Sequence, residues 1–159
     1  MIRIGLGLDI HRLAEGDGVM VGGILIPFDK KPVGHSDGDA LCHAIIDALL
    51  GAAALGDIGE HFPDTDPKYK DASSIELLKQ VVAEVRSSGC RICNVDAVVV
   101  AEGPRLLEHK DRVEGKIAEA LEVEISRVSV KGKTAERLGP IGAGDAIFAQ
   151  AVALIEKVR

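Results

Sequence analysis

The chain has 159 residues, about the size of one domain, and 47% of them are hydrophobic, which provides a core and excludes a disordered chain. A formal net charge of −6 disfavours generic nucleic-acid binding, which needs an excess of Lys and Arg to displace counterions. One Tyr, three Phe and no Trp leave little surface for stacking bases or sugars, so a small anionic ligand would have to meet local cations or metals.

The opening MIRIGLGLDIH has no basic leader followed by a long apolar run, so no signal peptide is expected. The most apolar run, AIIDALLGAAAL, is too short to span a membrane and contains Asp47. Cys42, Cys90 and Cys93 are an odd number of thiols, suited to a reducing compartment, and a cytoplasmic protein is expected. C-R-I-C at 90–93 runs into strand-like NVDAVVVAE instead of opening a helix, and no second pair completes a zinc quartet. These cysteines read as ordinary thiols.

In chain order, residues 2–8 and 19–26 predict strands. S-D-G-D at 36–39 supplies N-cap residues for a helix over 39–54, with Leu41, Ile45, Leu49 and Ala52 at helical spacing. GDIGEHFPDTDP, 56–67, reads as an irregular loop of the length that often carries function. Ser73 or Ser74 caps a second helix that buries Leu77, Leu78, Val81, Val82 and Val85 and ends at Gly89. A strand over 91–101 follows. Pro104 then opens a third helix carrying Leu106, Val113, Ile117 and Leu121, and RVSVKGK forms another strand before the glycine-rich RLGPIGAG. The tail DAIFAQAVALIEKV allows helix or strand, and its β-branched content favours strand. Uneven alternation predicts a single α+β domain over residues 1–159, a mixed sheet with helices on one face.

Within GLGLDIHR, residues 5–12, Asp9 and His11 share a strand face. That pair can hold a metal, run acid–base chemistry, or only make a hydrogen bond. His43 on the following helix adds a second imidazole, and one oxygen with two nitrogens is a set that suits Zn²⁺ with a position left open. Asp47, one turn later, is placed to orient His43. G-K-T at 132–134 is not a phosphate-binding P-loop, because that motif needs Gly where Arg127 stands. Lys131, Lys133, Thr134 and Glu136 still cluster at a strand end, where Lys and Thr suit phosphate oxygens and Glu suits a hard cation, against the plainer reading of a solvated strand end. G-x-G at 5–7 lacks the third glycine of a dinucleotide site.

The run HSDGDALCHAIIDALLGAAALGDIGEHFPDTDP at 35–67, with G-x-D-I-H near the start, NVDAVVVAEGPRL and VKGKTAERLG, resembles the 2-C-methyl-D-erythritol 2,4-cyclodiphosphate synthase family from end to end. The resemblance implies conversion of 4-diphosphocytidyl-methylerythritol 2-phosphate to the cyclic diphosphate and CMP, a step of the non-mevalonate isoprenoid route. It implies a homotrimer with each active site shared between subunits, and no nucleic-acid or membrane partner. Asp9, His11 and His43 match the family's zinc ligands. Glu136 matches the acidic ligand of a second divalent ion, magnesium or manganese. His35 and Thr134 match residues that fix phosphates in the transition state, with Ser36 and Lys133 beside them. Asp57 and Gly59, with Ile58 between them, match the hold on methylerythritol, and Phe62, Pro63, Asp64, Thr65 and Asp66 match the loop beside it. Ala101, Glu102, Gly103, Pro104, Arg105, Leu106 and Leu107 match the cytidine pocket, where backbone groups read the base.

The chain departs from the family's Lys-Ala-Thr-Thr-Thr-Glu at Gly132, Lys133 and Ala135. Pro140 and Ala143 stand where some relatives carry the Phe and Arg that line the trimer channel, so weak or absent isoprenoid diphosphate binding is expected. Two rivals share the cluster: a zinc phosphoesterase, and a non-catalytic nucleotide- or metal-binding trimer.

Overall fold

The computed structural model describes residues 1–158. Its first strand, β1 (Ile2–Glu15), runs well past the predicted end at residue 8, so Asp9 and His11 lie inside it. Burial alternates with the period of a strand, but the apolar side chains are on the open side. Gly5 and Gly7 are buried, whereas Ile2, Ile4, Leu6, Leu8 and Ile10 are each more than half exposed.

The following helix accounts for the inversion. In α1 (Ala40–Ala53) ten of the fourteen residues are buried, so most of its circumference faces protein. It lies across β1 so closely that a Cβ on Gly5 would sit 1.9 Å from the Ala48 carbonyl oxygen, and one on Gly7 2.0 Å from that of Ala44. Only glycine permits this approach of backbone to backbone. Ala44, Ala48 and Ala52 on the helix, and Ala149, Ala151 and Ala153 on the neighbouring strand, keep the layer thin, and all are buried.

The sheet has five strands in the order β4-β1-β7-β5-β6. β1 pairs antiparallel with β7 (Ala146–Lys157) from Ile2↔Glu156 to Arg12↔Ala146, and β7 pairs antiparallel with β5 (Cys90–Val100). β6 (Val128–Lys133) runs parallel to β5, so the sheet is mixed. β4 (Lys30–Pro32) closes the far edge beside β1. α1, α3 (Ser74–Ser87) and α4 (Lys110–Leu121) form the covering layer on one face. The expected one-sided α+β arrangement is present, and the tail is strand.

Residues 19–26 are not one strand. They fold back as β2 (Val19–Val21) and β3 (Ile24–Ile26), because Gly22 and Gly23 take φ of +59° and +76° and turn the chain. Asp39, fully buried, ties this turn to α1. Its Oδ1 accepts from Gly22 N–H and Cys42 N–H, both at 3.0 Å, and its Oδ2 from Gly23 N–H at 2.6 Å. The 56–67 segment is more ordered than its composition predicts. It contains α2 (Ile58–His61), and the chain then makes a 3-10 turn at Pro67–Tyr69. Pro104 does not open a helix; a 3-10 turn at Leu106–His109 leads into α4. α3 begins with its first amide bound by Asp37 from the preceding loop, while Ser73 makes no side-chain cap.

Gly7→Ala should destabilise the protein by about 3 kcal/mol or more, since the new methyl meets helix backbone that cannot rotate away. Gly51→Ala in α1 meets nothing within 4 Å and should stabilise by about 0.5–1 kcal/mol. Denaturant melts of the two variants check both signs.

Candidate metal centre and substrate clefts

β1 presents Asp9 and His11 on the face that α1 covers, and α1 brings His43 against them. Donor atoms of the three lie within 4.8 Å of one another. His11 Nδ1 and His43 Nδ1 sit 2.9 and 3.0 Å from the same oxygen, Asp9 Oδ2. Yet His11 Nδ1, a buried atom, makes no aligned hydrogen bond. A buried nitrogen close to a carboxylate and aimed past it fits a cation at the common centre better than a shared proton.

The electrostatics agree. Burial raises the Asp9 pKa, but the two imidazoles outweigh it and hold the carboxyl well below the usual carboxylate range. Burial pushes His43 down, but Asp9, with Asp39 and Asp37 behind it, pushes the imidazole above its ordinary value. The cluster therefore favours a positive charge beside Asp9, as a proton or as a metal that displaces it.

His43 is oriented from its other nitrogen. Its Nε2 lies 2.8 Å from Ser74 Oγ and 3.3 Å from Ser36 Oγ. Ser74 is fully buried and donates its own proton to Asp37 Oδ1 at 2.5 Å, while Asp37 Oδ2 accepts Ser74 N–H at 3.0 Å. With the Ser74 hydroxyl proton committed to Asp37, its oxygen accepts from Nε2–H, which leaves Nδ1 for ligation. Asp47 does not orient His43. It accepts the Ile58 N–H at 2.8 Å, because the first amide of α2 has no partner inside its own helix. Ser74 and Asp37 were missed as site residues. They lie 37 positions apart, and the only local signal was capping.

The segment after Asp47 is pinned beside the cluster. His61 bridges Glu84 Oε2 on α3, at 2.9 Å from Nδ1, and the Leu55 carbonyl, at 2.7 Å from Nε2. Phe62 packs edge-on against Tyr69. The resulting cleft, about 470 Å³, is lined by His11 and His43, by His35 and Ser36, and by Ile58, Gly59, Phe62, Pro63, Asp64, Tyr69 and neighbours. Asp57 and Asp66 do not line it; they accept backbone amides from Glu60 and Lys68 within their own turns. Thr65 is also outside the lining.

A second cleft of about 620 Å³ lies across β5 and β6 and is bounded by Ala101, Glu102, Pro104, Arg105, Leu106, Leu107, Lys133 and Thr134 among others. Gly103 instead backs onto Phe28, whose ring a Cβ would approach to 2.7 Å. Glu136 lies beside this cleft, accepting the Thr134 hydroxyl proton at 2.5 Å, and is not among the donors converging on Asp9. The two clefts share no lining residue.

Comparison with known proteins matches residues 2–156 to the YgbB family. A 2-C-methyl-D-erythritol 2,4-cyclodiphosphate synthase of Laribacter hongkongensis is 54% identical over 155 residues, covering 98% of this chain and 96% of its own. A bifunctional IspDF from Campylobacter jejuni superposes with a TM-score of 0.95 at 39% identity, over 99% of this chain and 42% of that longer one. A 2C-methyl-D-erythritol-2,4-cyclodiphosphate synthase solved in its CDP-bound form gives a TM-score of 0.89 at 36% identity, over 97% of this chain and 100% of its own. With likeness in sequence and fold running the length of the chain, it belongs to the YgbB family, that of the 2-C-methyl-D-erythritol 2,4-cyclodiphosphate synthases.

Proposed function

We propose that this chain converts 4-diphosphocytidyl-2-C-methyl-D-erythritol 2-phosphate to 2-C-methyl-D-erythritol 2,4-cyclodiphosphate and CMP, within one domain over residues 1–159. The observation that carries the reading is the convergence of Asp9, His11 and His43 on one point in a chain so similar to proteins of that activity. In the reaction a 2-phosphate oxygen bonds to the β-phosphorus, and the bond from that phosphorus to the oxygen of CMP breaks. No water enters and no protein nucleophile is needed, so the protein's task is positioning and charge neutralisation.

Asp9, His11 and His43 would hold Zn²⁺, and Glu136 would bind Mg²⁺ or Mn²⁺. When bound, the two ions neutralise and orient phosphate oxygens as Lewis acids. His35 and Ser36 would donate to the phosphates, as would Thr134 once its hydroxyl proton is released from Glu136, with Lys133 adding charge. The 57–66 segment holds the methylerythritol, and the 101–107 segment takes the cytidine, chiefly through backbone groups. Three free thiols fit a cytoplasmic location. Among the described residues no helix is long and apolar enough to cross a membrane.

The working unit is a homotrimer. Two features support it: the open apolar stripe of Ile2, Ile4, Leu6, Leu8 and Ile10, and the separation of the metal cleft from the cytidine cleft within one chain. Copies packed through β1 would cover the stripe and let one chain's metal cleft face another's cytidine cleft.

Phosphorus NMR of protein, substrate, Zn²⁺ and Mg²⁺ tests the chemistry. Cyclic diphosphate and CMP should appear together and stop on chelation; CMP with a linear phosphate would mean a hydrolase, and no turnover a binding relic. Ser74→Ala should loosen Zn²⁺ by about tenfold to a hundredfold in chelator competition while the circular dichroism spectrum is kept. Zn²⁺ affinity of the unmutated protein should climb as pH rises through and beyond 6.5, because the raised pKa of His43 lets a proton compete above the ordinary histidine range. Leu6→Glu should give monomers by sedimentation, and those monomers should be inactive.

A further inference from the structure

The turn that follows β6 carries Thr134 and Glu136 in an unusual conformation. Glu136 and Arg137 are consecutive residues with side chains at φ of +52° and +62°, in the left-handed region that favours glycine. Strain of this kind persists only where surrounding structure over-determines it. Here one side-chain atom supplies two of the restraints: Glu102 Oε1 accepts both Ala135 N–H, at 3.0 Å, and Arg137 N–H, at 3.2 Å. The amides on either side of Glu136 are thereby bound to a single oxygen. Ala101 N–H donates to the Lys133 carbonyl at 3.0 Å and fixes the approach to the turn. From the other side Gly142 packs so tightly that a Cβ there would lie 2.2 Å from the Arg137 backbone.

Resting on the function proposed above, we infer that Glu102 is a positioning residue for Thr134 and Glu136 and not a contact to the nucleotide. Family resemblance groups it with the cytidine segment, but its Oε1 is spent on backbone amides of the catalytic turn. The role needs an acceptor, which glutamine also supplies; alanine leaves two amides unbound and frees the turn to leave the left-handed region. Glu102 also lines the cleft that holds Thr134, so the nucleotide segment and the phosphate-facing turn form one mechanical unit.

Steady-state kinetics, CDP calorimetry and amide hydrogen exchange on metal-loaded trimer carrying Glu102→Ala or Glu102→Gln test this. For Glu102→Ala, kcat should fall by about tenfold to a hundredfold. Its CDP affinity should stay within about twofold, and the amides of Ala135 and Arg137 should exchange faster. Glu102→Gln should restore kcat to within a few-fold. Weaker CDP binding with kcat retained would make Glu102 a nucleotide contact and overturn the assignment. So would a glutamine variant as slow as alanine, or unchanged exchange at the two amides. Exchange is read without turnover, so an inactive unmutated protein would reject the proposed function while leaving this assignment still tested.

Discussion

The close seat of α1 on β1 is the constraint on which the remainder of the molecule depends. Gly5 and Gly7 leave out the Cβ atoms that would collide with the helix backbone, and the alanines of α1 and β7 continue the thin layer. Because His43 rides on α1 while Asp9 and His11 ride on β1, that separation sets whether the three donors meet. It also explains why β1 turns its large apolar residues outward. At Gly5 and Gly7 the inner face has no room for them, and a one-residue slip would exchange the two faces completely.

Around that contact, each functional segment is held by side chains that spend themselves on backbone. Asp47 takes an amide of α2, His61 clamps the same loop to α3 and to the end of α1, and Asp37 starts α3 while bearing on Ser74. Loops that carry chemistry are normally mobile. In this chain the 57–66 segment is tethered at Ile58 and at His61, which suits a reaction whose barrier is lowered mainly by holding two anionic groups in register.

Much of this was legible in the sequence, and what was not has a common cause. Helix periodicity located α1 and α3, and β-branched content identified the last strand. D-x-H followed by a helical His located the candidate metal donors. Local pattern failed where the deciding partner was distant. G-x-G at 5–7 reads locally as an incomplete nucleotide motif, whereas its role is to let a helix lie against the strand. V-G-G-I at 21–24 carried a two-residue turn signal within a run read as a single strand. Asp47 had the right helix face but a nearer amide claimed it, and Ser74 looked like a cap because its bond to His43 spans 31 residues.

Asp39 has a consequence for how the molecule opens. One buried carboxylate serves the first turn of α1 and both amides of the Gly22–Gly23 turn. Unwinding the start of α1 would carry Asp39 away and strip both turn amides of their acceptor, and release of the turn would leave the buried side chain short of donors. The hairpin and the start of the helix are therefore expected to open together in native-state fluctuations, although 17 residues separate Gly22 from Asp39. Fraying that would ordinarily begin at a helix N-terminus is opposed by that cap, at the end from which His43, four residues on, reaches the cluster.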